Sequence, residues 1–185
     1  MRVISGHLKG RKILSPEGYK IRPTSDRAKE MIFNTLNSIF LEKKKSFSDM
    51  NVLDLFCGSG ALGIESISRG ANSVTFVDES KEAITLVKTN CLILDIQKKT
   101  NFLRIDLKKL EPSNKYFDLF FLDPPYKKKL ITQSIELISE HNWIKKFSIG
   151  VIEVSRNNKL ELPKSVKIIK IKKVGVSNFF FINIS

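Results

Sequence analysis

The chain has 185 residues, 42% of them hydrophobic, which suits one α/β core and excludes general disorder. Its formal net charge of +13 favours a polyanionic partner, because neutralised phosphates drive nucleic-acid affinity. No apolar run reaches transmembrane length, Met1-Arg2-Val3-Ile4-Ser5-Gly6 turns polar too early for a cleavable signal, and two cysteines make no disulfide framework. A cytoplasmic chain without a membrane partner is expected.

Residues 1–15 read as a short basic hairpin, with Val3-Ile4 and Lys12-Ile13-Leu14 flanking a turn that holds Gly6 and Gly10. Loop follows to Thr24, so residues 1–24 are expected to be an appendage and residues 25–185 the main domain. The first thirty residues carry eight basic and three acidic side chains, and residues 145–173 carry nine and two. Arg2, Lys9, Arg11, Lys12, Arg22 and Arg27, with Thr24 among them, are the candidate contacts to RNA. Thr24 or Ser25 can cap a helix whose first turn carries Asp26 and Glu30, with apolar positions at helical spacing from Ala28 to Phe40.

From residue 51 strand and helix alternate. Val52–Phe56 reads as a strand that runs into Gly58-Ser59-Gly60-Ala61-Leu62-Gly63, and a helix continues to Arg69. Glycines there let the chain turn sharply and bring backbone N–H groups to a ligand at a helix N-terminus. The second strand, Val74–Val77, ends in Asp78, placed to accept hydrogen bonds from ribose hydroxyls. A helix through Ala83, Val87 and Cys91 follows, then strands at Asn101–Ile105, Asp118–Leu122 and Ile149–Val154. Lys167–Val174 and Asn178–Ile184 read as a closing hairpin around Gly175. The pattern predicts a parallel sheet with helices on both faces and ligands at the strands' C-terminal ends, where Asp54, Asp78, Asp106 and Asp123 all fall.

Asp123-Pro124-Pro125-Tyr126 leaves the fourth strand. Prolines fix φ and remove donors, so a carboxylate, rigid carbonyls and an aromatic ring converge on one spot. That is a socket for a flat group bearing an NH2, such as a nucleobase. Asp54 would set a negative charge near the glycine loop, which suits a cationic donor such as S-adenosylmethionine better than a pyrophosphate. Together the motifs read as a methyltransferase acting on an exocyclic amine. No His/Cys/Asp spacing suggests a metal.

With these residues in hand, the chain resembles the RsmD family of small-subunit ribosomal RNA methyltransferases. Three blocks carry the likeness: Arg2-Val3-Ile4-Ser5-Gly6 through Arg11, Arg22-Pro23-Thr24-Ser25-Asp26-Arg27 through Asn34, and the two motifs above. The resemblance implies a Rossmann-like, seven-stranded, mostly parallel sheet whose last strand runs antiparallel, preceded by the small hairpin. It implies S-adenosyl-L-methionine as cofactor and the 2-amino group of a guanine in 16S ribosomal RNA, free or in a small-subunit assembly intermediate, as target. Asp123, Pro124, Pro125 and Tyr126 would be catalytic; Asp54, Phe56, Gly58, Gly60, Asp78 and Asp106 would hold the cofactor. A monomer is expected. The C-terminal hairpin departs from the family pattern at Lys173-Val174-Gly175-Val176-Ser177. The rival readings are a DNA adenine N6-methyltransferase and a non-catalytic ribosome-assembly factor.

Overall fold

A computed structural model describes residues 1–15, 24–124, 128–158 and 160–185. Helix α1 spans Asp26–Glu42, and Ser25 caps it by accepting a hydrogen bond from Ala28 N. The alternating part follows as β1 (Asn51–Leu55), α2 (Ala61–Ser68), β2 (Ser73–Asp78), α3 (Lys81–Ile93), β3 (Thr100–Arg104), β4 (Phe117–Leu122), α4 (Lys128–Glu140), β5 (Ile144–Ser155), β6 (Val166–Val174) and β7 (Ser177–Ile184). The seven strands form one sheet in the order β3-β2-β1-β4-β5-β7-β6. Pairs among β1 to β5 are parallel, and β7 is antiparallel to both neighbours. This is the anticipated sheet, with its last strand reversed.

The period-two pattern of the strands divides the core between two faces. Val52, Leu119, Phe121, Val151 and Phe181 pack against α1, α2 and α3; Leu53, Leu55, Phe120, Ile152 and Ile182 pack against α4. Among the described residues helices therefore cover both faces, three on one and one on the other. The crossover from β3 to β4 lacks an α-helix and passes through a 3-10 turn at Leu107–Lys109. Among the described residues no helix is long and apolar enough to cross a membrane.

The expected N-terminal hairpin is reduced to one antiparallel bridge, Arg2 to Lys12. Its apolar residues Val3, Leu8 and Ile13 are buried in the same core as α1 to α3, so packing on the helices takes precedence over pairing. Backbone groups left free by that choice are satisfied by α2. Buried Glu65 accepts from Ile4 N at 2.7 Å and Ser5 N at 3.0 Å, and Ser68 Oγ accepts from Leu8 N at 3.0 Å. Lys29, fully buried on α1, donates to the Arg2 carbonyl oxygen and lies 3.4 Å from Asp26.

Candidate active site

Strand register sets the geometry of the site. Leu55 pairs with Leu122 of β4 on one side and Val77 of β2 on the other. The next residues, Phe56, Asp123 and Asp78, are thereby lined up across three adjacent strand ends. Asp78 in turn faces Arg104 at the end of β3.

The expected strand to Phe56 stops one residue earlier, because Phe56 takes a left-handed backbone, φ 57°. A phenylalanine there is uncommon, and such outliers gather where a loop must be held in one shape. Gly58 and Gly60 continue the turn at φ 52° and 76°, and α2 starts immediately after. Gly60 N donates to Cys57 O at 2.7 Å, closing the turn. A Cβ on Gly60 would come within 2.3 Å of Val87, whereas one on Gly58 would meet nothing within 4 Å. Gly60 is thus required by packing, and Gly58 faces open space where a ligand's polar groups can approach. Cys57 is buried and its thiol is pushed far up by that burial, so it is no nucleophile.

Asp78 holds the loop and the following helix together. Its Oδ2 accepts from Gly58 N at 3.1 Å and its Oδ1 from Ser80 N at 3.0 Å. Ser80, not Asp78, caps α3 by accepting from Ala83 N.

Asp54 departs from expectation. Strand alternation turns it to the face of Val52, under the loop instead of out on the rim, and it is 4% exposed. There its Oδ2 accepts from Gly63 N at 2.9 Å. Gly60 is the N-cap of α2 and offers no side chain, so the strand supplies the acceptor that the helix's first turn lacks. Burial above all pushes the Asp54 carboxyl up to about 8; the Gly63 N–H pulls the other way, and the charges of Asp123 and Asp78 add to the rise. Above the ordinary carboxylate range the unfolded chain has lost this proton while the fold keeps it. Stability without ligand should therefore fall as pH rises from that range to about 8. Thermal melts of Asp54→Asn should lack this slope, since the amide oxygen still accepts from Gly63; an unchanged slope would assign it to another group.

Asp123 lies past β4 with an exposed surface, and Pro124 behind it is buried. Burial of the carboxyl, then the Glu153 carboxylate, raises Asp123 above the ordinary range. Water reaches the residue's open side, which tempers the rise. Glu153 stands near the end of β5, where it accepts from Ser177 Oγ at 2.6 Å. It was missed as a site residue, although it follows the rule that singled out the other acids, an acid at a strand's C-terminal end. Asn90 was missed too: its Nδ2 donates to Ser59 O and Leu14 O, both at 3.0 Å, tying the glycine loop to the N-terminal segment.

Asp106 falls two residues beyond β3, where its Oδ1 caps the 3-10 turn by accepting from Lys108 N at 3.0 Å. Pro125, Tyr126 and Arg22 lie outside the described residues. The N-terminal segment is fastened to α2 and α3, from Asn90 beside the glycine loop to Ser68 and Ile93 at the helices' last residues. Arg11 Nη2 donates to the carbonyl of Ile93, the last residue of α3, at 3.0 Å, and Arg2 Nε pairs with Asp26 at 2.9 Å. Lys9, Lys12 and Arg27 are exposed, and Thr24 is half-buried.

A family model described as "Conserved hypothetical protein 95" matches residues 1–183. The chain is 34% identical over 185 residues to the ribosomal RNA small subunit methyltransferase D of Haemophilus influenzae, covering 97% of this chain and 91% of that one. It is 37% identical over 174 residues to the protein of the same name from Buchnera aphidicola, covering 92% and 86%. Among solved structures, Escherichia coli yhhF, a candidate methyltransferase, has a TM-score of 0.84 at 24% identity over 100% of this chain and 97% of that one. An RNA methyltransferase from Salinibacter ruber, solved with S-adenosyl-L-homocysteine, has a TM-score of 0.68 at 11% identity over 88% and 94%. These two structures are alike in fold.

Proposed function

The chain belongs to the conserved hypothetical protein 95, or RsmD, family, and from that premise we propose that it is an S-adenosylmethionine-dependent methyltransferase of the 2-amino group of a guanine in 16S ribosomal RNA. The observation that carries this reading is the alignment of the Gly58 loop, Asp78 and Asp123 across three adjacent strand ends. In it, residues 25–185 are the catalytic domain and residues 1–24 a basic appendage.

The residues fit the cofactor in charge and in space. Burial first, and then the charges of Asp123 and Asp78, hold Asp54 protonated, and a cationic ligand beside these carboxylates relieves the crowding. Open space beside Gly58 admits its amino-acid portion, and Asp78 stands where ribose hydroxyls can donate to it. S-adenosylmethionine supplies an electrophilic methyl group carried on a sulfonium.

The chain's own residues position and activate the amine. A guanine 2-amino group is a poor nucleophile because its lone pair is delocalised into the ring. The Asp123 carboxylate accepts one of its N–H groups and the Pro124 carbonyl the other, which localises the lone pair and aims it. Asp123 then takes up the proton that the amine must lose. Orientation of this kind contributes up to about 7–11 kcal/mol in favourable cases. Tyr126 would stack on the extruded base.

Transfer of a labelled methyl group to small-subunit particles, free 16S RNA and duplex DNA tests the reading. Label in guanine N2 of the RNA is expected; label in adenine of the DNA would favour the DNA enzyme. Absence of S-adenosylmethionine binding by calorimetry would favour the non-catalytic assembly factor. In the same calorimeter Asp78→Ala should bind S-adenosylmethionine more weakly by about 100-fold or more, because two charge-assisted hydrogen bonds are lost. Wild-type affinity in that variant would remove Asp78 from the cofactor site.

A further inference from the structure

We propose that the end of the sheet opposite the carboxylates is a second RNA-contact surface, where Phe147 stacks on a single-stranded base and lysines hold the flanking phosphates. The proposal deepens the RNA-methyltransferase reading and takes its polymer from it.

Parallel strands put all their first residues at one edge, so the beginnings of β1, β4 and β5 meet about 20 Å from Asp123, which lies just past the far end of β4. Two cavities of about 400 and 530 Å³ lie there side by side and share Lys145. Lys43, Lys45, Lys146 and Phe147 line the first, whose single acid among the described residues is Asp118. Lys115, Tyr116 and the amides of Asn51, Asn72 and Asn101 line the second. Asp118 is already engaged, accepting from Asn51 N at 3.1 Å and pairing with Lys145 Nζ at 3.4 Å. The balance at this edge is strongly positive.

The feature that points to a ligand is Phe147. Pairing of β4 with β5 shifts between Ile144, opposite Phe117, and Ile149, opposite Leu119, so residues 145–147 bulge outward. Buried Ser148 pins the bulge: its Oγ accepts from Lys145 N at 3.1 Å and donates to Phe117 O at 2.8 Å. At its crest Phe147 is 61% exposed with φ 70°. A left-handed backbone is strained for phenylalanine, and a bulge that merely ended pairing would be served by Gly or Asn. An apolar ring held toward solvent in a strained, built conformation contributes nothing to the core. Lysines alone would be ordinary solubilising charges. Here they embrace aromatic rings: Lys146 Nζ is 5.4 Å from the Phe147 ring centre, and Lys145 Nζ 5.7 Å from that of half-exposed Tyr116. Cations beside open aromatic faces, with amides close by, form the combination that binds single-stranded nucleic acid through phosphates and stacked bases. A base of any identity fits, so this surface would grip RNA beyond the target guanine without reading its sequence.

The test is fluorescence anisotropy with a labelled RNA single strand of about twelve nucleotides. Phe147→Gly should weaken binding about fivefold or more. Its melting temperature should stay the same or rise, because glycine accepts the left-handed backbone; a merely structural ring would lose stability and leave RNA binding alone. Lys145→Gln with Lys146→Gln should reduce the slope of log affinity against log salt by about 1.4, two phosphate contacts at about 0.7 each. Affinities of both variants within about twofold of wild type would overturn the proposal. So would tighter binding of polyglutamate than of the RNA strand at this edge, which would assign it to an acidic protein. Calorimetry with S-adenosylmethionine keeps the two readings apart: it should be unchanged in every variant, and its failure in the wild type would sink the methyltransferase reading while the RNA comparison stood.

Discussion

Asp123→Asn should lower methyl transfer to small-subunit RNA by about two to four orders of magnitude, the range for removing a positioned proton acceptor. Asparagine keeps the volume of the side chain, so folding and S-adenosylmethionine affinity should change little. What it loses is the second acceptor oxygen and the negative charge that draws the amine's N–H groups. The pH profile sharpens the expectation. Only the ionised carboxyl accepts both before and after transfer, and burial together with Glu153 raises Asp123 above the ordinary carboxylate range. The wild-type rate should therefore climb as pH rises through that raised value and level off above it. The residual rate of Asp123→Asn should show no such climb. Activity of the variant within a few-fold of wild type, or an unchanged pH profile, would exclude Asp123 as the acceptor.

Glu65→Ala should produce the largest loss of stability, about 3–5 kcal/mol by denaturant unfolding, the magnitude for breaking a buried charged pair by removing one partner. Glu65 is fully buried and joins three donors: Ile4 N, Ser5 N and Arg69 Nε, the last at 2.8 Å. Alanine would strand all three, and Arg69, whose guanidinium lies 4.7 Å over the Phe33 ring, has little access to water. The N-terminal segment would lose its fastening to α2, so amide exchange should accelerate across residues 1–15 before the sheet opens. A loss below about 1 kcal/mol would mean that water replaces the carboxylate and that the segment is held by its apolar residues alone.

Neither Glu65 nor Lys29 was legible as a buried group. On a helix read by itself each is an ordinary polar position. The N-terminal segment, far from them in the chain, packs over them and presents bare N–H and C=O groups that need charged partners. The same non-local effect misplaced Asp54: its position before the glycines is plain in the chain, but a period of two does not say which face of β1 the α2 helix will cover. Arg2 and Arg11 counted as free positive charge in the sequence, and the fold commits both to contacts within the chain.

Other features were legible because their causes are local. Alternating apolar runs and helical spacing marked the strands and helices of the alternating part. Gly58 and Gly60 announced a left-handed turn, and the positions of Asp78 and Asp123 after apolar runs put them at strand ends. The amino-acid order alone could not say which strands become neighbours. Inserting β7 between β5 and β6 and seating β4 beside β1 depend on burying both faces of the sheet at once. That choice brings Asp123 level with Phe56 and Asp78, and it leaves the lysines and Phe147 together at the opposite edge. Residue type and spacing determine which groups can turn, cap or carry charge, because those preferences act within a few residues. Which of them meet is decided by packing between segments far apart in the chain, whose energy exists only once the sheet has formed.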